Sequence, residues 1–319
     1  MRAAADPRAQ AARRASLGLL AAVVAATATA AAAPGPTPPA PRTDQRLCVF
    51  AGILPHAWFL ERLGGDRVAI EVLVGPGQTP ETFEPTPRQM AKLGEAAALL
   101  RAGVPFERSL LPRVRRAFPR LEIVDTLDGL PLRPWEEPAT PQSDAGHAHG
   151  GADPHVWLDP LRARGIARNI AAALARLDPP HAPVYASRLA TLDAELVALD
   201  EELAATLAPW RGRAFYVFHP AFGYLAERYG LRQVAIQAGG REPTPRELAR
   251  VIDAARRDGT RVLFAQPQYA PRSARQAAAS LDAQLVELDD LARDYDDNLR
   301  RVAAALARAF AGPDPEAAP

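Results

Sequence analysis

Six histidines and a single cysteine limit the metal chemistry open to this 319-residue sequence. Cys48 alone can make neither an intramolecular disulfide nor a thiolate zinc site, so any bound cation must be held by imidazole and carboxylate. Three histidines, His56, His155 and His219, fall at the ends of strand-like runs or in the turns that follow them. Asp289 stands in the same relation to the run from Leu285 to Leu288. Ligands of parallel α/β sheets bind outside the carboxyl ends of the strands, which makes these four positions candidates. A lone histidine at a strand end is more often structural than ligating, and no one of these segments specifies a metal by itself. His147 and His149 form a short His-x-His tract between Asp144 and Gly151, readable either as a weak collector of cations or as an ordinary solvated loop. His181, beside Pro179 and Pro180, reads as a surface residue.

The elements that must position these residues alternate in type. Strand-like runs at 47–53, 68–74, 97–101 and 122–125 are interleaved with helical ones at 56–63 and 87–93, which predicts a parallel-sheet lobe. The stretch 134–151 has no periodicity and reads as a loop, followed by a helix over 161–177 that Asp178-Pro179-Pro180 stops. Leu189, Leu192, Leu196, Leu199, Leu203 and Leu207 recur every three or four residues and share one stripe of a long helix from Pro183 to Leu207. Beyond Pro209 the alternation resumes, with strands at 214–218, 233–237, 261–265 and 285–288 and helices at 222–229, 245–256, 270–280 and 297–310. The expected architecture is α/β: two lobes, each a parallel-type sheet with flanking helices, joined by one long helix. The lobes are placed at 45–178 and 210–319, with the linking helix at 179–209.

The first 33 residues read as an export signal: Arg2, Arg8, Arg13 and Arg14 precede an apolar run from Leu17 to Val24 and the small residues Ala31-Ala32-Ala33. A proline-rich leader occupies 34–44. The expectation is a cleaved signal peptide and a periplasmic protein with no lipid anchor, since Cys48 lies well past the apolar run. The formal charge of +1, from 38 basic and 37 acidic side chains that lie interspersed, carries no signature of a nucleic-acid partner. His-Glu-x-x-His, a nucleophile elbow and a phosphate loop are all absent from the sequence, so no motif supports an enzyme.

Seven segments, taken together and in order, carry a resemblance. They are Gly64-Gly65-Asp66-Arg67-Val68, Phe83-Glu84-Pro85-Thr86-Pro87, the run from Asp153-Pro154-His155-Val156-Trp157 to Pro160, and Phe218-His219-Pro220-Ala221-Phe222. The others are Gly240-Arg241-Glu242-Pro243-Thr244-Pro245, Phe264-Ala265-Gln266-Pro267-Gln268-Tyr269 and Leu288-Asp289-Asp290-Leu291. From about Leu47 to Ala311 the chain resembles the metal-specific solute-binding proteins of ABC importers, the group with zinc and manganese members. The resemblance implies a metal at the lobe interface with two ligands from each lobe. His155 belongs to the first pair, and His219 and Asp289 form the second. Manganese members often carry Glu where His219 stands, so His219 points to Zn²⁺, with Mn²⁺ the alternative.

The chain departs from the family at one ligand. Where a histidine follows proline in the family pattern, Pro80 is followed by Glu81. Zn²⁺ accepts carboxylate oxygen at ~2.0–2.2 Å, so Glu81 is the expected fourth ligand, and His56, after Pro55, is its rival. Glu242 reads either as an outer-layer acceptor for a ligand histidine or simply as a carboxylate at a helix N-terminus. The implied function is capture of Zn²⁺ in the periplasm by a monomer and delivery to an ABC transporter permease in the inner membrane, without catalysis. A manganese-binding member of the class is one alternative. Others are a metal-dependent hydrolase using Glu81 as base and an adhesion protein.

Overall fold

The structure is a computed structural model that describes residues 46–135, 151–237, 243–268 and 272–312. The signal and leader segments, the His147/His149 tract and Glu242 therefore lie outside the described residues.

Two four-stranded parallel sheets organise the chain. The first holds β1 (Leu47–Ala51), β2 (Val68–Val72), β3 (Ala98–Arg101) and β4 (Glu122–Asp125) in the order β2-β1-β3-β4. Its helices are α1 (Leu54–Gly64), α2 (Pro87–Leu93) and α3 (Glu107–Ala117), and α4 (Pro160–Leu177) follows. The second sheet holds β5 (Ala214–Val217), β6 (Arg232–Ala235), β7 (Val262–Ala265) and β8 (Gln284–Glu287) in the same arrangement, β6-β5-β7-β8. Between them runs α5 (Ala182–Leu207); α6 (Gly223–Tyr229), α7 (Pro245–Arg257), α8 (Arg272–Leu281) and α9 (Tyr295–Ala311) complete the chain. Each sheet thus reverses direction of growth beside its first strand, and the crevice at such a switch point, at the carboxyl ends of the strands, is where α/β sheets bind ligands.

The sequence signals for these elements have local causes. Thr86 and Thr244 each form a capping box, with Gln89 and Glu247 respectively, and each is followed by proline at the first helical position. Two orphan backbone donors per helix are satisfied this way, which explains why Pro-Thr-Pro recurs at the entrance to α2 and α7. Gln89 also donates to the Leu73 carbonyl, tying α2 to the segment after β2 and so fixing the loop that carries Glu81.

The leucine stripe of α5 is the spine of the core. Leu192, Leu196, Leu199, Leu203 and Leu207 are buried, whereas Leu189 is only half-buried. The helix packs on α1, α4 and α9. Polar clamps hold its flanks: Arg164 of α4 grips Asp193 through two bonds of 2.6 Å, and Arg228 of α6 grips buried Asp200. Among the described residues of the first lobe, the α-helix not anticipated from periodicity is α3, where Pro112 and four arginines dilute the apolar stripe to Leu110, Leu111 and Val114. Truncation of the spine should cost most where burial is complete. Leu203→Ala is expected to lower stability by about 2–5 kcal/mol, and Leu189→Ala by clearly less, in urea unfolding of the metal-free protein. Equal losses would show that the stripe is not the core.

Candidate metal centre

His219 follows β5, at the switch point of the second sheet. Its backbone is locked by Gln266, just past β7, which accepts from the His219 amide at 3.3 Å and donates to its carbonyl at 2.9 Å. The ring is oriented from behind: its Nδ1 lies 2.8 Å from the Gln237 amide oxygen. An amide oxygen only accepts, so Nδ1 carries the proton and Nε2 presents a lone pair. His155 is arranged by the same logic. The Asp153 carboxylate accepts from the His155 backbone amide at 3.0 Å and from ring Nδ1 at 2.7 Å, again leaving the lone pair on Nε2. Pro154, between the two, restricts the backbone that makes this short turn.

The two imidazoles meet. Their ring centroids lie 5.4 Å apart, nearly perpendicular, and the Trp135 indole leans over both at 5.6 and 6.1 Å. Glu81, from the loop between β2 and α2, puts Oε1 3.4 Å from Nε2 of His219, while Thr79 donates a short hydrogen bond to its other oxygen. His155 and His219 are 4% and 1% exposed. A cleft of about 300 Å³ opens on this place, lined by Glu81, His219, Trp135 and Arg108 among others.

Electrostatics separate the two histidines. Burial pushes His155 down, but the hydrogen bond and charge of Asp153, with Asp290 and Glu81 beyond, outweigh it and hold the ring above its ordinary value. His219 stays below its ordinary value, because burial and the neighbouring His155 prevail over the pull of Glu81. Of the sequence candidates, then, Glu81, His155 and His219 come together. Asp289 is half-buried at the start of a turn, where its Oδ1 accepts from the Leu291 amide at 2.8 Å and from Gln268 at 2.9 Å. Asp153 and Gln237, which orient the rings, and Asp290, which is buried beside them, did not emerge from the sequence as site residues. A ring-orienting acceptor two residues before His155 is the only one of these with a local sequence signal.

The described residues contain no group of three or more His, Cys, Asp or Glu side chains already arranged to hold a metal ion. The donors nonetheless match a borderline cation. Imidazole nitrogen with Nδ1 engaged by an acceptor, and carboxylate oxygen, are donor types that Zn²⁺ accepts.

His56 has a different setting. It lies at the start of α1, fully buried, edge-on to Trp157 with centroids 6.3 Å apart, and neither ring nitrogen makes a hydrogen bond. Burial alone drives it down to about 3, with no carboxylate acting on it. A histidine depressed in the fold loses stability as pH falls below its unfolded value, because only the unfolded chain takes up the proton. Relative to the parent, metal-free His56→Leu should gain about 2 kcal/mol of stability between pH 8 and pH 5. A stability gap that stays constant across that range would show that His56 is protonated, or partnered, in the fold.

The family model described as zinc-uptake complex component A, periplasmic, matches residues 49–309. The high-affinity zinc uptake system protein ZnuA of Paracoccus denitrificans is 29% identical over 248 residues, covering 67% of this chain and 74% of that protein. The zinc-binding lipoprotein AdcA of Streptococcus pneumoniae serotype 4 is 28% identical over 227 residues, 66% of this chain but only 43% of AdcA. A solved structure of a ZnuA deletion mutant with zinc bound superposes with a TM-score of 0.76 at 36% identity, covering 83% of this chain and 98% of that one. With the family model matched across nearly all the described residues, the chain belongs to the periplasmic zinc-uptake complex component A family.

Proposed function

We propose that this chain captures Zn²⁺ outside the cytoplasm in the cleft between its two α/β lobes and delivers it, as a monomer, to the permease of an ABC importer. The observation that carries the reading is the pair of buried imidazoles, each held through Nδ1, with their ring centroids 5.4 Å apart and Nε2 of His219 3.4 Å from Glu81. The ligands are His155, His219, Glu81 and Asp289, with Zn²⁺ as cargo. Relatives named for zinc uptake and a neighbour named as zinc-bound support the choice of ion.

Capture needs no bond-making chemistry in this account. Neutral imidazoles and ionised carboxylates replace the water shell of the ion, and outer-layer acceptors keep both rings aimed while it is absent. Two nitrogen donors favour Zn²⁺ over the harder Mn²⁺, while the carboxylate at position 81 narrows that preference. Because His155 sits above its ordinary value of 6.5, protons compete with the metal from higher pH than for a free imidazole. Affinity therefore declines as pH falls toward and through that range.

Native mass spectrometry of the metal-loaded protein should show one zinc per chain. In chelator competition, Glu81→Ala is expected to weaken zinc binding by more than the ~10- to 100-fold of an outer-layer change, and His56→Ala to weaken it far less. Glu81→His should raise the preference for Zn²⁺ over Mn²⁺. A parent-like Glu81→Ala beside a His56→Ala that no longer binds would move the fourth ligand to His56.

A further inference from the structure

The turn after β8 carries two adjacent acids, Asp289 and Asp290, and the structure treats them differently. Asp289 is half-buried, with Oδ1 engaged twice, by the Leu291 amide and by Gln268. Its carbonyl is also taken, by Asn298 at 2.6 Å. These bonds make it a strut that holds the turn in shape.

Asp290 is only 4% exposed, and its Oδ1 has no hydrogen-bond partner. Its place is tightly determined. The Trp157 indole donates to its carbonyl at 2.7 Å, the Trp157 carbonyl accepts from the Tyr295 hydroxyl at 2.6 Å, and the Trp157 ring lies 5.2 Å from that of His155. An unpaired buried carboxylate oxygen is costly, and its retention calls for an explanation, of which a bound ion is one. Electrostatically Asp290 acts on His155, and both Glu81 and Asp289 act on Asp290, so it belongs to the metal centre's own group of charges.

Building on the zinc-capture reading, we propose that Asp290 is a further oxygen ligand to the cargo ion, supplied by the buried carboxylate of this turn. The centre would then draw two carboxylates from one turn, with Asp289 fixing its shape. That extra oxygen suits a chain in which a carboxylate, Glu81, already stands in place of an imidazole. It makes the donor set harder and the preference for Zn²⁺ over Mn²⁺ smaller than in a three-histidine centre.

The test uses the full-length chain and its Asp290→Asn and Asp289→Asn variants, with Zn²⁺ in chelator competition and Co²⁺ as a spectroscopic probe. Asp290→Asn should lose more than the ~100-fold upper end of outer-layer effects in zinc affinity and change the intensity of the Co²⁺ visible bands. Parent-like affinity and spectrum for Asp290→Asn, whatever Asp289→Asn does, would overturn the proposal. A crystal structure of the zinc-loaded parent keeps the question decidable should the variant misfold. An Asp290 oxygen at ~2.0–2.2 Å from the ion supports the proposal, and one beyond contact with it overturns it. His155→Ala and His219→Ala serve as controls: if they too bind zinc like the parent, the capture reading itself fails, and the Asp290 proposal with it.

Discussion

A buried imidazole that is to serve as a ligand must keep one nitrogen lone pair available while the rest of the ring is satisfied, and the architecture around His155 and His219 follows from that requirement. In each case an acceptor behind the ring takes Nδ1–H, the Asp153 carboxylate for one and the Gln237 amide for the other. The two acceptors differ in charge, and the rings differ accordingly: His155 is held above its ordinary value and His219 below it. One ring is thereby made more basic, and so a stronger donor, while the other is kept neutral over a wider range of pH.

The acceptors are in turn fixed by contacts that run between the lobes. Tyr224 of α6 donates to the Asp153 carbonyl at 2.8 Å and accepts from the Arg133 amide at 3.0 Å, so the turn bearing His155 leans on a helix of the second lobe. Arg133 lies 3.7 Å from the Asp153 carboxylate and 3.3 Å from Glu227, and it passes over Gly223 so closely that a Cβ there would fall 1.6 Å from its guanidinium. A side chain at that position would force the end of the arginine to shift. The Trp157–Asp290 and Tyr295–Trp157 bonds join the lobes on the other side of His155. Polar bonds of this kind are directional and set register, whereas the buried stripe of α5 supplies non-directional apolar contact.

The sequence made the α/β plan legible because both sheets are built from short apolar runs closed by turn residues, and because two Pro-Thr-Pro segments announce helix starts that the capping boxes then realise. It hid α3, whose apolar stripe is interrupted by Pro112 and crowded by arginine. His155, His219 and Glu81 could be singled out because the metal-binding resemblance pointed at those positions. Their convergence, by contrast, depends on loops packing from opposite lobes, which no local pattern encodes. The roles of Gln237 and Asp290 were illegible for the same reason. A glutamine eighteen residues from its histidine has no spacing signal, and an Asp-Asp dipeptide does not say which carboxylate turns inward. His56, which by sequence rivals Glu81, has its ring buried against Trp157 with no carboxylate acting on it.

The central claim is that two imidazoles and carboxylate oxygens together hold the ion. X-ray absorption at the zinc edge of the loaded, full-length protein addresses it directly, since the inner shell reports donor type and distance and the outer shell reports ring scattering. The account predicts nitrogen and oxygen donors at ~2.0–2.2 Å with scattering from two imidazole rings. A shell fitted by three imidazoles, or by one or none, would contradict it.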